Sequence, residues 1–85
     1  LHSGAQRIIG YLLRDGADGH EAGEGHQPLT VTLPVSKAMV ASRLSLTPEY
    51  FSRVLHELEA QGLVEIDKRD IRIRDPHKLA QYQLQ

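Results

Sequence analysis

The sequence lacks cysteine and tryptophan, and its only aromatic residues are one phenylalanine and three tyrosines. Without cysteine there is no disulfide framework and no thiol chemistry. Because aromatic rings are so few, the core must be built mainly from Leu, Ile and Val. No apolar run approaches the roughly 18 residues that a membrane-spanning helix needs, and no signal-peptide pattern is visible. These absences predict a small globular domain that makes no membrane contact.

The charge of the chain is almost balanced, which bears on the class of partner. Ten basic and eleven acidic side chains give a net charge of −1. Domains that bind nucleic acid are often strongly basic, so this balance argues against that class. The acidic excess lies in residues 1–35, whereas residues 62–85 hold five basic and four acidic side chains. A near-neutral charge lowers non-specific affinity but leaves specific DNA binding by a dimer open.

The length supports one domain, which we predict to span residues 1–85. The chain begins at Leu1 rather than methionine, and inside a helical pattern, so we expect it to be a piece of a longer protein. We expect that protein to be cytoplasmic. The helical pattern predicts a first helix over residues 1–14. Its apolar face is expected to contain Leu1, Ala5, Ile8, Ile9, Leu12 and Leu13.

The helical pattern is interrupted over residues 15–28 by four glycines and four acidic residues. Such a composition predicts a flexible, solvated loop. His20 and His26 lie in this loop with five residues between them. Two histidines without a fixed third ligand are only a weak indication of a metal site. We therefore expect neither a metal nor another cofactor in this domain.

A strand and two helices are predicted after the loop. Leu and Val alternate with Thr over residues 29–33, which is typical of a short strand. A serine precedes a predicted helix over 37–44, and Thr47 precedes a longer one over 48–61; both residue types favour the N-cap position. Two helices joined by so short a turn form a helix-turn-helix over 36–61. The apolar side of its first helix is expected to contain Ala38, Val40, Ala41 and Leu44.

Residues 63–74 predict a β-hairpin, because two alternating runs flank a polar turn at 67–70. The inward face of this wing is expected to contain Val64, Ile66, Ile71 and Ile73. A weak helical turn is predicted over 77–85, with Leu79, Tyr82 and Leu84 as its contacts. The order predicts an α+β, mainly helical fold: a winged helix-turn-helix. The early strand can pair with the wing in a small antiparallel sheet.

The second helix of this motif has two faces that suit different partners. Apolar residues at helical spacing form one stripe, which contains Phe51, Val54, Leu55 and Leu58. The opposite stripe contains Glu49, Ser52, Arg53 and His56. A helix that is buried on one face and offers a carboxylate, a hydroxyl and a guanidinium on the other can read DNA base edges. The alternative is a solvated face on which Glu49 favours the helix dipole and pairs with Arg53.

A resemblance to a known family covers residues 29–79. It is carried by the run L-P-V-S-K-A-M-V-A-S-R-L-S-L-T-P-E-Y-F-S-R-V-L-H-E-L-E-A-Q-G-L-V-E-I-D and by the segment I-R-I-R-D-P-H-K-L. Both are similar to the C-terminal DNA-binding domain of the cyclic-AMP receptor protein/Fnr (Crp/Fnr) family of bacterial transcription regulators. The pattern E-x-x-S-R on the second helix resembles the Fnr-like branch of that family.

In the Fnr-like branch, E-x-x-S-R reads a half-site of the type TTGAT. The resemblance therefore implies that Glu49, Ser52 and Arg53 read bases. The fork of Arg53 matches O6 and N7 of guanine, and Glu49 can accept from an amino group of cytosine or adenine. Contacts with the DNA backbone are a weaker expectation for five further residues. They lie at the two helix starts, one turn beyond Arg53 and at the wing tip: Lys37, Thr47, His56, Lys68 and Arg69.

The resemblance also implies the partners of the whole protein. A homodimer on a palindromic double-stranded DNA site is expected, and RNA polymerase is allowed as a further partner. The effector would bind an N-terminal sensor domain that, with its dimerisation helix, lies outside this sequence. The identity of the effector, and activation as against repression, stay open.

The turn of the motif departs from the family pattern at Ser45, where glycine is common. A left-handed conformation would cost serine about 1–2 kcal/mol relative to glycine. Either the turn adopts a slightly different shape or the domain tolerates the strain.

Two other classes of function compete with DNA binding. A winged helix that contacts another protein without binding specific DNA is the main alternative, and the near-neutral charge supports it. An enzyme is not expected, because the sequence contains no nucleophile–base constellation. Its acidic glycines neither follow a strand nor open a helix, as a phosphate-binding loop would.

Overall fold

A computed structural model describes residues 3–16 and 27–82 of the chain. In this part the elements are α1 (Gly4–Gly16), β1 (Leu29–Thr32), α2 (Lys37–Arg43), α3 (Pro48–Ala60), β2 (Val64–Asp67), β3 (Asp70–Ile73) and α4 (Pro76–Gln81). Helices α2 and α3 pack together, and β2 and β3 form the wing that follows them. The predicted α+β winged helix-turn-helix fold is confirmed.

The first helix was predicted over residues 1–14, but α1 starts later, at Gly4, and ends later, at Gly16. The cause of the late start is Ser3, whose Oγ accepts a hydrogen bond of 3.2 Å from the backbone N–H of Gln6. A serine in this role caps a helix and places its beginning. The predicted apolar face is confirmed for the residues that the structure describes: Ala5, Ile8, Ile9, Leu12 and Leu13 are all buried.

Several predictions concern residues outside the described ranges. They are the position of Leu1 on the first helix, the histidines His20 and His26, and most of the loop predicted over 15–28. The N-terminal end of that loop is corrected, because residues 15 and 16 belong to the last turn of α1.

The three strands form an antiparallel sheet in the order β1-β3-β2, so the first strand pairs with the second strand of the wing. Val31 lies opposite Ile71, which lies opposite Ile66. Two residues further along the strands, Leu29, Ile73 and Val64 form the next row on the same face of the sheet. All six apolar side chains therefore share one face of the sheet, which packs on the helices. The predicted pairing of the early strand with the wing is confirmed.

Each strand of the wing lies one residue nearer to the turn than the predicted hairpin over 63–74 placed it. Its strands are β2 and β3, at 64–67 and 70–73, and the turn between them has two residues, Lys68 and Arg69. Asp67 and Asp70 pair across the strands instead of belonging to the turn. The alternating pattern could not place this boundary, because polar residues continue on both sides of it.

Helix α4 is shorter and starts earlier than predicted. Asp75 caps it, since its side chain accepts from the backbone N–H groups of His77 at 3.0 Å and Lys78 at 3.3 Å. Pro76 occupies the first turn, where a proline costs no hydrogen bond. Leu79 is fully buried and Tyr82 is half-buried, as expected, whereas Leu84 lies outside the described residues.

Helix α2 buries less than its pattern predicted. Val40 and Ala41 are buried and Leu44 is half-buried, but Ala38 is exposed. Two turns of helix present too narrow a face to the core for four residues. No helix in the part of the chain that the structure describes is long and apolar enough to cross a membrane.

The turn between α2 and α3 has the hydrogen bonds of a Schellman motif. The N–H of Leu46 donates to the carbonyl of Ala41 at 2.8 Å, and the N–H of Ser45 donates to that of Ser42 at 3.0 Å. This motif needs a left-handed residue at its centre, and Ser45 has φ of +62°. Of the two expectations for Ser45, tolerated strain is therefore the correct one. The same motif ends α3 with Gly62, at φ of +77°.

Replacing Ser45 by Gly is expected to stabilise the domain by about 0.5–1 kcal/mol, because glycine relieves the strain of the left-handed backbone. The reciprocal change, Gly62→Ser, is expected to cost about 1 kcal/mol at the equivalent position. Urea unfolding followed by circular dichroism measures both free energies. A Ser45→Gly variant that is less stable than the parent would contradict the strain.

Candidate nucleic-acid interface

Helix α3 is held in the domain by one face. Its four predicted core residues, Phe51, Val54, Leu55 and Leu58, are each no more than 1% exposed. They contact residues of the other helices and of the wing in one core. Burial of the whole apolar stripe determines which residues of α3 remain on the surface. The predicted division of this helix into a core face and a solvent face is confirmed.

The start of α3 is capped and exposed. Thr47 accepts a hydrogen bond of 3.1 Å through Oγ1 from the N–H of Tyr50, and Pro48 occupies the first position. Glu49 lies in the first turn, where a negative charge interacts favourably with the helix dipole. The cap uses Thr47 as an acceptor, so its hydroxyl hydrogen can still be donated to an incoming ligand.

The three predicted reading residues lie on the outer side of this first half of α3. Glu49 and Arg53 are exposed and one helical turn apart, and Ser52 is half-buried beside Arg53. His56 is exposed one turn further along. The fold therefore brings a carboxylate, a hydroxyl and a guanidinium together near the helix start. That they read bases stays a prediction.

The guanidinium of Arg53 does not have the partner that the sequence suggested. Among the described residues no ion pair joins it to Glu49, although the two are four residues apart. Instead, its Cζ lies 5.3 Å from the centre of the Tyr50 ring, which is the distance of a cation–π contact. The ring competes well here because a surface ion pair in water is worth little.

The second half of α3 also makes contacts that hold the fold together. The carboxylate of Glu59 accepts a hydrogen bond of 3.0 Å from the N–H of Ile66 in the wing. Burial raises the pKa of the Tyr82 hydroxyl, and the nearby carboxylate of Glu57, which accepts its hydrogen bond, raises that pKa further. These contacts join α3 to the wing and to the end of α4. Of the α3 residues predicted to contact DNA, only His56 lies in this second half of the helix.

Three of the predicted backbone contacts lie outside α3, at the start of α2 and at the wing tip. Lys37 is half-buried at the start of α2, and Lys68 and Arg69 are exposed at the wing tip. Lys68 has a left-handed φ of +57°, so this turn is built on a strained residue. The carboxylate of Asp70 accepts a hydrogen bond of 2.7 Å from the hydroxyl of Thr32. That bond engages one of the two acids that flank the wing cations.

Two contacts with α1 were not predicted. Arg7 donates from Nη1 to the carbonyl of Leu44 at 2.9 Å, which satisfies an orphan group at the end of α2. A Cβ atom on Gly4 would lie 2.6 Å from Cε2 of Tyr50, so α1 approaches this ring closely. The three-residue spacing of Tyr50 and Arg53 is a signal that could have revealed their contact. No pattern in the sequence pointed to Gly4, because the approach is between distant segments.

The described residues also bear on the metal prediction. In residues 3–16 and 27–82, no group of three His, Cys, Asp or Glu side chains comes together to hold a metal ion. The two histidines that suggested a metal site, His20 and His26, lie outside these ranges. The expectation of no metal therefore stays a prediction.

The architecture is that of a winged helix-turn-helix domain whose second helix has an exposed face. A family model described as the Crp-like helix-turn-helix domain matches residues 6–82. The chain belongs to this family. A search of curated proteins found no significant match.

Two solved structures of Crp/Fnr-family regulators are similar to this chain. FixK2 from Bradyrhizobium japonicum has 28% sequence identity and a TM-score of 0.73, over 91% of this chain and 36% of its own. DNR from Pseudomonas aeruginosa has 39% identity and a TM-score of 0.69, over 89% of this chain and 31% of its own. The chain thus spans about a third of the length of these relatives.

Proposed function

We propose that this chain is the DNA-binding output domain of a dimeric transcription regulator, and that the first half of α3 enters the major groove. The observation that carries the proposal is the exposed E-x-x-S-R face at the capped start of a helix whose opposite face is fully buried. A helix held this way can present its side chains to base edges without moving. Membership of the Crp-like family supports DNA as the partner rather than an enzyme substrate.

The proposed reading chemistry follows from the side chains. Arg53 donates two parallel hydrogen bonds to O6 and N7 of the guanine in a TTGAT half-site. Glu49 accepts from the amino group of a cytosine or adenine, and Ser52 bonds to or packs beside a neighbouring base. All three lie within the first six residues of α3, which is the end of a recognition helix that contacts bases.

Contacts with the phosphate backbone would orient the domain on the duplex. Thr47 has a free hydroxyl hydrogen for this, and Lys37 contributes a charge beside the first helix. His56 extends the exposed face of α3, and the wing tip offers Lys68 and Arg69. We expect these contacts to add affinity that does not depend on sequence.

The net charge of −1 makes pairing of two copies necessary for useful affinity. A domain without an excess of cations releases few counterions from DNA, so its non-specific binding is weak. A homodimer on an inverted repeat doubles the base contacts and requires half-site centres about 10 base pairs, or a multiple of this, apart. The dimer, the cytoplasmic location and any contact with RNA polymerase belong to this proposal for the whole regulator.

A fluorescence-anisotropy titration of the intact dimeric protein tests the proposal. One duplex carries two inverted TTGAT half-sites, and its control has the same base composition in scrambled order. We expect the dissociation constant for the inverted repeat to be lower by about a thousandfold or more. Equal binding to both duplexes, or no binding at low salt, would refute DNA reading. That result would favour the alternative of a contact with another protein, for which the exposed Met39 on α2 is a candidate.

A further inference from the structure

The ring of Tyr50 lies between the body of the domain and the proposed reading face. It is half-buried and packs against the core, on the side of α3 that faces α1. Its face meets the guanidinium of Arg53 at 5.3 Å. A half-buried ring has less freedom to move than an exposed side chain. It therefore offers Arg53 a fixed surface.

The kind of contact matters for reading a base. A guanidinium has five N–H donors around its edge, all in one plane. A carboxylate partner such as Glu49 would occupy some of these donors, and guanine would have to displace it. A ring that lies against the flat face of the guanidinium leaves the edge donors available. The contact with Tyr50 can thus restrain Arg53 without competing with DNA.

The ring of Tyr50 lies against the first turn of α1. A Cβ on Gly4 would lie 2.6 Å from Cε2 and 3.1 Å from Cζ of Tyr50, and 3.0 Å from Cδ2 of Leu46. Only the hydrogen of glycine fits this space. The hydrogen bond from Arg7 to the carbonyl of Leu44 joins the same turn of α1 to the end of α2. The start of α1 and the turn of the helix-turn-helix therefore form one packed unit around the ring.

We infer that Tyr50 is a positioning residue: its ring, seated against Gly4, holds the guanidinium of Arg53 with its donor edge toward the DNA. Discrimination at the guanine then depends on the packing of the first turn of α1. The inference rests on the proposed function, in which Arg53 reads guanine. It adds a residue that the E-x-x-S-R pattern does not include and a contact that links a helix outside the motif to base reading.

The test compares the specificity of Tyr50 variants in the intact dimer. The measured quantity is the ratio of dissociation constants for the TTGAT repeat and for the same duplex with guanine replaced by adenine in both half-sites. Tyr50→Leu removes the ring, and we expect this ratio to fall by about two- to fivefold per half-site. Tyr50→Phe keeps the ring, and we expect it to keep the ratio of the parent protein. An unchanged ratio in Tyr50→Leu would overturn the inference.

Two glycines of α1 provide a matched pair for the second arm. Gly4→Ala must displace the ring, whereas at Gly10 a Cβ meets only Nη2 of Arg14, at an ordinary 3.5 Å. We expect Gly4→Ala to lower the guanine-to-adenine ratio as Tyr50→Leu does, and Gly10→Ala to leave it unchanged. Equal ratios in the two alanine variants would show that α1 does not determine the position of the Tyr50 ring.

A measurement without DNA separates failure of this inference from failure of the proposed function. In the intact protein with arginine-selective labelling, the Tyr50 ring is expected to shift the Arg53 Hδ resonances upfield by its ring current. Tyr50→Leu should abolish that shift, and Tyr50→Phe should keep it. If the parent protein does not discriminate guanine from adenine, the proposed function fails. If it does, and Tyr50→Leu loses the shift but keeps the discrimination, only the positioning role fails.

Discussion

Replacing Arg53 by Ala is expected to abolish discrimination between guanine and adenine at the third position of the TTGAT half-site. The loss should be about 1–3 kcal/mol per half-site, because the two parallel hydrogen bonds to O6 and N7 disappear together. Arg53 is exposed and carries no ion pair with another described residue, so its removal should leave the fold intact. Anisotropy titrations of the intact dimer with the guanine and adenine duplexes measure the effect.

Two further variants make this result specific. Arg14→Ala removes an equal charge from an exposed position on the last turn of α1 and should leave the discrimination unchanged. Arg53→Lys keeps the charge but loses the planar fork, so it should not restore the preference for guanine. If Arg53→Ala instead weakens binding to both duplexes by the same factor, Arg53 is a phosphate contact and base reading lies elsewhere.

Replacing Phe51 by Ala is expected to destabilise the domain by about 3–5 kcal/mol. The side chain is completely buried, and it is the only phenylalanine in the chain. Its removal loses the free energy gained by burying an aromatic ring away from water. It also leaves a cavity that the surrounding aliphatic side chains cannot fill. A domain of this size has a total stability of roughly 5–10 kcal/mol, so a large share would be lost. Urea unfolding followed by circular dichroism measures the change.

The control for this result lies on the same helix. His56→Ala alters an exposed residue of α3 and should change the free energy of unfolding by no more than about 0.5 kcal/mol. Phe51→Leu preserves most of the volume and should cost clearly less than Phe51→Ala. A loss below about 1 kcal/mol for Phe51→Ala would mean that α3 is not anchored through this ring.

Much of the fold was predictable because local patterns and local hydrogen bonds agree. Ser36 and Thr47 are good capping residues, and both cap their helices in the structure. The apolar stripe of α3 predicted the buried face without error, since each of its residues is fully buried. Errors occurred at boundaries, where competing caps such as Ser3 and Asp75 decide between residues that periodicity treats alike.

The candidate site was predictable in its residue types but not in its contacts. The motif named Glu49 and Arg53 and suggested that they pair, because residues four apart on a helix are neighbours. The structure instead places Arg53 on the ring of Tyr50, three residues before it. Both pairings are compatible with the spacing. The choice depends on where the ring is held, and the ring lies close to Gly4, which is distant in the sequence.

The sequence by itself determined the order of the elements, the two faces of α3 and the exposed E-x-x-S-R pattern near its start, because these follow from periodicity and capping within short segments. Only the tertiary structure decided that β1 pairs with β3 rather than with β2 of the wing, and that Tyr50 is packed between α1 and Arg53. Those features depend on contacts between segments far apart in the chain. Local propensity carries no information on which distant surface a residue meets.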